Sequence, residues 1–155
     1  MIRIREYNED DRKKVEEMIT KVLFELFGEH LIRKLEDFKE YSIFYVVEDD
    51  KRIVGTAALK DMGGGNGKLK RMYLLADYRK KGLGQRLFDK ILSFAKEHKF
   101  NRIVLSTEQR LKASHKFYEK NGFVDIKNVN WEKDFADLKN EKVNIKEVRF
   151  MEKKL

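Results

Sequence analysis

The segment Arg79-Lys80-Lys81-Gly82-Leu83-Gly84 places three cations in front of two glycines, between an apolar run ending near Leu75 and an amphipathic stretch beginning near Gln85. A turn of this kind, leading into a helix, suits an anion. The first-turn N–H groups of a helix have no internal partner, and the macrodipole adds partial positive charge to them. Glycines let a phosphate approach those amides, and Arg79, Lys80 and Lys81 add full charges. A dinucleotide fingerprint needs a further glycine at position 87, where the chain has Leu87, so NAD and FAD are disfavoured. Taken alone, Gly-x-Gly also marks a surface turn with solvated cations.

Other residue types with chemical potential narrow the field. The run Gly63-Gly64-Gly65-Asn66-Gly67 is not a Walker loop, because Met62 stands five residues before Gly67 and Leu69 follows Lys68. It reads as a flexible hairpin connection. There is no cysteine, hence no disulfide, thiol nucleophile or thiolate metal site, and His30, His98 and His115 have no ligand spacing. No metal is expected. The 155 residues carry 35 Lys plus Arg against 27 Asp plus Glu, a formal net charge of +8 that invites a nucleic-acid reading. The excess is concentrated, however. Residues 1–67 sum to −3, residues 68–100 to +7 and residues 101–155 to +4.

Positioning such a turn requires a strand before it and a helix after it, and the hydrophobic periods supply both. Ile2-Arg3-Ile4-Arg5 alternates like a half-buried strand, and Asn8 to Asp11 offer caps for a helix carrying Val15, Met18, Ile19, Val22, Leu23 and Leu26, which stops near Gly28. A second helical pattern follows at Leu31, Ile32, Leu35 and Phe38. Residues 43–47, 53–59 and 69–75 read as three strands joined by turns at 48–51 and 63–67, an antiparallel meander. After the glycine turn come an amphipathic helix with Leu87, Phe88, Ile91, Leu92, Phe94 and Ala95, a short buried strand at 103–105, and a helix over 112–120 ended by Asn121-Gly122. Residues 123–126 and 145–151 are the closing strands. The order β-α-α-β-β-β-α-β-α-β-β predicts a mixed α/β fold, read as a single domain over 1–155 because no linker or repeat divides it. No apolar run approaches the roughly 18 residues of a membrane span, and the N-terminal residues lack a signal core. A cytoplasmic protein without a membrane partner is expected.

The segment from Leu69 to Gly84 resembles the acetyl-CoA-binding signature of the GCN5-related N-acetyltransferases, in which a strand leads to Arg/Gln-x-x-Gly-x-Gly/Ala; the match runs from Arg79 to Gly84. Ile103 to Thr107 and then Ala113 to Phe123, with Tyr118-Glu119-Lys120-Asn121-Gly122-Phe123, resemble the family's second conserved block, and Phe150 to Lys153 resembles its last strand. The resemblance implies a mixed, mostly antiparallel central sheet with flanking helices, whose fourth and fifth strands splay apart. It implies acetyl-CoA as cosubstrate, with pantetheine on the backbone of Tyr73, Leu74 and Leu75. The pyrophosphate would lie on Arg79, Lys80, Lys81, Gly82, Leu83, Gly84 and Gln85, and Ser114 would lie near the cofactor. The +7 segment then has a purpose other than nucleic acid, which becomes an unlikely partner.

The implied reaction is direct attack of a primary amine on the thioester, without a covalent enzyme intermediate. Tyr118 occupies the family position whose hydroxyl lies by the sulfur, which makes it the candidate general acid. The family's frequent carboxylate in the fourth strand is missing between Lys68 and Ala76, where Lys68 and Lys70 take its positions, and Leu111 stands where many relatives have Asn. Glu108 and Asp61 are the substitute candidates for a base acting through water, with Glu108 preferred. The acceptor is expected to be a small amine, a polyamine, or a protein lysine or N-terminus. The acidic residues Glu25, Glu29, Glu36, Asp37 and Glu40 suggest a cationic amine. Residues 127–144, with the lone Trp131, could cover a sheet edge, line the acceptor site or bury themselves in a second subunit, and a homodimer is the expectation. A non-catalytic acyl-CoA-binding module, favoured by the missing carboxylate and by Leu111, stays open beside the enzyme.

Overall fold

The alternating residues at the start form β1 (Ile2–Glu6), which pairs antiparallel with β2 (Ile43–Asp49) from Ile2↔Asp49 to Glu6↔Tyr45. This and the following elements come from a computed structural model that describes residues 1–28, 38–138 and 145–155. Between these strands lies α1 (Arg12–Phe27), entered through a short 3-10 turn, Glu9–Asp11. Asn8 caps that turn reciprocally: its side chain accepts from the Asp10 amide, and Asp11 accepts from the Asn8 amide, each at 3.0 Å. Arg5 on β1 then grips Asp11 through two 2.8 Å bonds and reaches Glu48 on β2 at 2.8 Å. That guanidinium holds the Asp11 carboxyl below the usual carboxylate range, against the opposing effect of burial. The apolar face of α1 (Val15, Met18, Ile19, Val22, Leu23) is buried, and Gly28 ends the helix at φ 67 with its amide on the Phe24 carbonyl.

The meander follows as the period predicts. β2 turns into β3 (Arg52–Gly63) through Asp50 and Lys51, both at positive φ, the tight hairpin geometry that matches strand twist. Gly63, Gly64 and Gly65, all at positive φ, make the next turn into β4 (Asn66–Leu74). A 3-10 turn (Ala76–Tyr78) and the glycine segment lead to α2 (Leu83–Glu97), whose Leu83, Leu87, Phe88 and Ile91 are buried. Then come β5 (Arg102–Glu108), α3 (Lys112–Lys120), β6 (Val124–Asp125) and β7 (Val148–Lys154).

The hydrogen-bonded strand order is β1-β2-β3-β4-β5-β7-β6, and the described ladders are antiparallel except for β4 with β5. The parallel register runs through Asn66↔Arg102, Gly67↔Ile103 and Lys68↔Val104, while β4 continues to Leu74 and β5 to Glu108. Contacts group the chain into two compact units, Met1–Lys60 with Lys70–Phe94 and Asp61–Leu69 with Ala95–Leu155. In the first, Val46 and Val47 of β2 and Val54, Ala57 and Ala58 of β3 are all fully buried. In the second, Val104, Phe135 and Phe150 form a cluster flanked by Ile126, Val129, Trp131, Leu138 and Val148.

Two details depart from the sequence reading. The strand expected over 123–126 shrinks to Val124–Asp125, because Phe123 is buried and its amide closes the end of α3 on the Tyr118 carbonyl, with Gly122 at φ 88. The strand expected over 145–151 begins at Val148, after a 3-10 turn, and runs on to Lys154. Of the segment whose role was left open, residues 127–138 include Trp131 and Phe135, which meet Phe150 edge-on at 5.2 and 4.8 Å. Arg102 anchors them through the buried Asp134 at 2.7 Å. The second helical pattern, at Leu31, Ile32 and Leu35, lies outside the described residues, and Phe38 opens a 3-10 turn (Phe38–Glu40).

Candidate active site

The glycine segment has the geometry its composition suggested. Lys80 adopts φ 61 and Gly82 φ 79, so two left-handed residues bend the chain immediately before α2. Successive amides in such a bend point into one concavity and attract anions. The first bond of α2 runs from the Arg86 amide to the Gly82 carbonyl at 3.1 Å, so the amides of Leu83, Gly84 and Gln85 precede any helical acceptor. No atom lies within 4 Å of where a Gly82 side chain would begin. Glycine is required there for its backbone angle, and the space beside it is open to a ligand.

Neighbours fix the same segment from both sides. The Tyr78 hydroxyl donates to Asp49 at the end of β2 at 2.6 Å, which raises its pKa, and the Lys81 ammonium lies 5.7 Å from the Tyr78 ring centre. Arg79 donates from Nε to the Leu74 carbonyl at 3.0 Å, and its guanidinium lies 3.9 Å from Glu25 of α1. The Leu75 amide donates to Val54 of β3 at 2.9 Å. Of the stretch Tyr73–Leu75, then, the Leu74 carbonyl and the Leu75 amide already have partners. One further feature of β4 gave no sequence signal: Arg71 has φ 55 inside the strand, and the Thr56 hydroxyl donates to its carbonyl at 2.7 Å.

In the second unit, α3 carries Tyr118 and, one turn before it, the half-buried Ser114. Tyr118 is 8% exposed, with Phe117 and Phe123 at 5.6 and 5.7 Å between ring centres. The buried His115 donates from Nε2 to the Glu108 carbonyl at 2.8 Å and so ties α3 to the end of β5. The Glu108 carboxylate is 41% exposed and pairs with Arg110 at 2.8 Å. Asp61 accepts from the Gly63 amide at 2.8 Å, which makes it a turn residue. Lys68, standing where a strand-four carboxylate was expected, is 2% exposed with its ammonium 4.9 Å from the Phe135 ring centre. Among the described residues no helix is long and apolar enough to cross a membrane.

Comparison with known proteins bears on the family and the fold. Residues 7–123 match the family described as "Acetyltransferase (GNAT) family". The chain is similar to the probable N-acetyltransferase camello of Xenopus tropicalis, at 30% identity over 94 residues, 59% of this chain and 43% of that protein. It is also similar to human N-acetylaspartate synthetase, at 36% identity over 83 residues, 53% of this chain and 28% of that protein. Thus the chain spans less than half the length of these relatives. Among solved structures, the PaiA N-acetyltransferase of Thermoplasma acidophilum in complex with coenzyme A superimposes with a TM-score of 0.76 at 16% identity, over 100% of this chain and 99% of that one, a likeness of fold.

Proposed function

The chain belongs to the acetyltransferase (GNAT) family, and from that premise we propose that residues 1–155 act as one N-acetyltransferase domain carrying an acetyl group from acetyl-CoA to a primary amine. The observation that carries the reading is the bend at Lys80 and Gly82 ahead of the α2 amides, with Arg79, Lys80 and Lys81 beside it. We read it as a cradle for a pyrophosphate: open at Gly82, cationic, and lined by the first-turn amides of α2. The solved relative that holds coenzyme A supports the same ligand here. Gly82, Leu83, Gly84 and Gln85 would receive the pyrophosphate, and the backbone of Tyr73–Leu75 would align the acyl arm.

The thioester supplies an activated acetyl carbon and a thiolate leaving group. The amine, with a pKa near 10.4 in water, must first lose a proton. Its nitrogen then forms the new C–N bond as the C–S bond breaks. Tyr118, 8% exposed on α3, donates the proton the thiolate receives. With Asp61 occupied in a turn, Glu108 takes up the amine's proton through water. No thiol nucleophile is needed, consistent with a chain that has no cysteine.

Lys68, buried where a carboxylate was expected, favours a second reading, a binding module without turnover. One experiment separates the two: coenzyme A release followed at fixed acetyl-CoA across amines, amino acids and peptides, with melting temperature measured in parallel. Transfer predicts stabilisation by acetyl-CoA and amine-dependent thiol release. Stabilisation without release from any acceptor would leave only the module.

A further inference from the structure

We infer that His115 is a positioning residue for the transfer: one buried hydrogen bond from its ring sets Tyr118 and Glu108, the proposed acid and base, in a fixed relation. The inference rests on the acyl-transfer reading above and deepens it. It starts from a buried, titratable side chain that the reaction itself does not use. The helix α3 buries His115 and Tyr118, three residues apart and therefore on one face. His115 is 5% exposed, and a polar ring so placed loses its solvation unless a partner replaces it. The partner is the Glu108 carbonyl, 2.8 Å from Nε2. A carbonyl oxygen only accepts, so the ring proton is on Nε2. The same oxygen accepts the Leu111 amide at 3.1 Å. It is thus held at once from the turn that leaves β5 and from the helix that follows.

Glu108 ends β5, in register with Val148 of β7, and its carboxylate reaches Arg110 at 2.8 Å. The backbone of the proposed base is therefore fixed by an imidazole that stands one turn before the proposed acid. Other ties on α3 act at its C-terminal half. Arg149 of β7 binds Glu119 at 2.8 Å and Asp125 of β6 at 2.6 Å, and the Phe123 amide donates to the Tyr118 carbonyl at 3.0 Å. Glu119 and Asp125 are 52% and 62% exposed, and ion pairs that open to water hold geometry weakly. The His115 bond is shielded and lies at the other half of the helix, against β5. Losing it frees both proton-transfer groups together, and a misplacement of about 1 Å costs on the order of 100-fold in rate.

The acidic residues that suggested a cationic amine do not fix the acceptor: Glu25 faces Arg79 at 3.9 Å, Glu40 faces Lys60 at 3.5 Å, and Glu29, Glu36 and Asp37 lie outside the described residues. The test therefore uses the full chain with the fastest acceptor of the panel above. His115→Gln keeps an N–H donor at the same bond distance from Cα as Nε2, and His115→Met keeps the length without a donor. In His115→Met, kcat should fall roughly 10- to 100-fold with the KM for acetyl-CoA changed less than about 3-fold, and His115→Gln should recover most of the loss. A second readout is coupling: added to Tyr118→Phe, His115→Met should cost less than about 3-fold more, whereas losses from unrelated causes multiply. Wild-type kcat in His115→Met, equal kcat in the Gln and Met variants, or full multiplication of the two losses overturns the inference. Should His115→Met fail to fold by circular dichroism, His115→Gln is compared with His115→Asn, whose amide falls short of the carbonyl; equal kcat in these two overturns it. If the wild-type protein releases no thiol with any amine, the acyl-transfer reading itself falls, an outcome seen before any variant is made.

Discussion

Tyr118 can be tested by removing a single oxygen. Its ring packs against Phe117 and Phe123, and Tyr118→Phe keeps that packing while deleting the hydroxyl proposed to protonate the thiolate. A positioned acid typically contributes 10²- to 10⁴-fold, so kcat should fall by about that factor. The KM for acetyl-CoA should change little, and stability by no more than roughly 1 kcal/mol, the worth of one hydrogen bond. A variant with wild-type kcat would remove Tyr118 from the mechanism. At this scale the sequence was legible where backbone shape depends on local order, as in the bend of the Arg79–Gly84 segment and the helix end at Asn121-Gly122. It was illegible where a role depends on a distant partner. That Lys68 is buried against Phe135 and that Thr56 and Tyr41 hold Arg71 are products of tertiary packing, with no periodic trace in the chain.

Elements show the same division. The helix at 112–120 and the three meander strands follow from hydrophobic period and turn residues, and Asn8 was readable as a cap. What the period could not supply is the clamp on that cap. Arg5 and Glu48, 43 residues apart, converge on the entrance of α1, where Arg5 also binds Asp11, 5% exposed. Removing the Asp11 charge would leave Arg5 short of its main partner and the Asn8 amide with a weaker acceptor. Asp11→Asn should therefore destabilise the fold by about 1–3 kcal/mol at pH 7, read by chemical denaturation. The pH dependence has a defined sign. Because the folded state holds Asp11 below its unfolded value of about 3.9, its contribution is present above that pH and is lost as pH falls through the folded value. The wild-type advantage over Asp11→Asn should accordingly shrink below about pH 4. An advantage that grows in acid would contradict the assignment. The closing strands were misread for a related reason: Phe123 has strand-like chemistry but is claimed by the end of α3.

For the whole molecule the question is what a net charge of +8 is for, given that it is distributed as −3, +7 and +4 along the chain. A basic surface serving nucleic acid needs a line of cations along a phosphate backbone. Here the largest excess lies in residues 68–100, which contain most of β4, the Lys80–Gly82 bend and α2, where several positive groups would meet a few phosphates of the proposed small ligand. Such attraction acts at short range and partly through backbone amides, so salt should weaken it without abolishing it. Between 0.1 and 1 M salt the Debye length falls from about 10 to about 3 Å. The Kd for acetyl-CoA should rise on the order of 10-fold across that range, measured by calorimetry. At 100 times its Kd, a ligand that binds only the folded state adds about 2.7 kcal/mol. For a chain of this size that corresponds to a rise in Tm of roughly 5–10 °C. Short duplex DNA at physiological salt should produce no comparable shift. A Kd indifferent to salt would detach the cationic segment from the cofactor, and a duplex that stabilised the protein as strongly as acetyl-CoA would return the charge to nucleic acid.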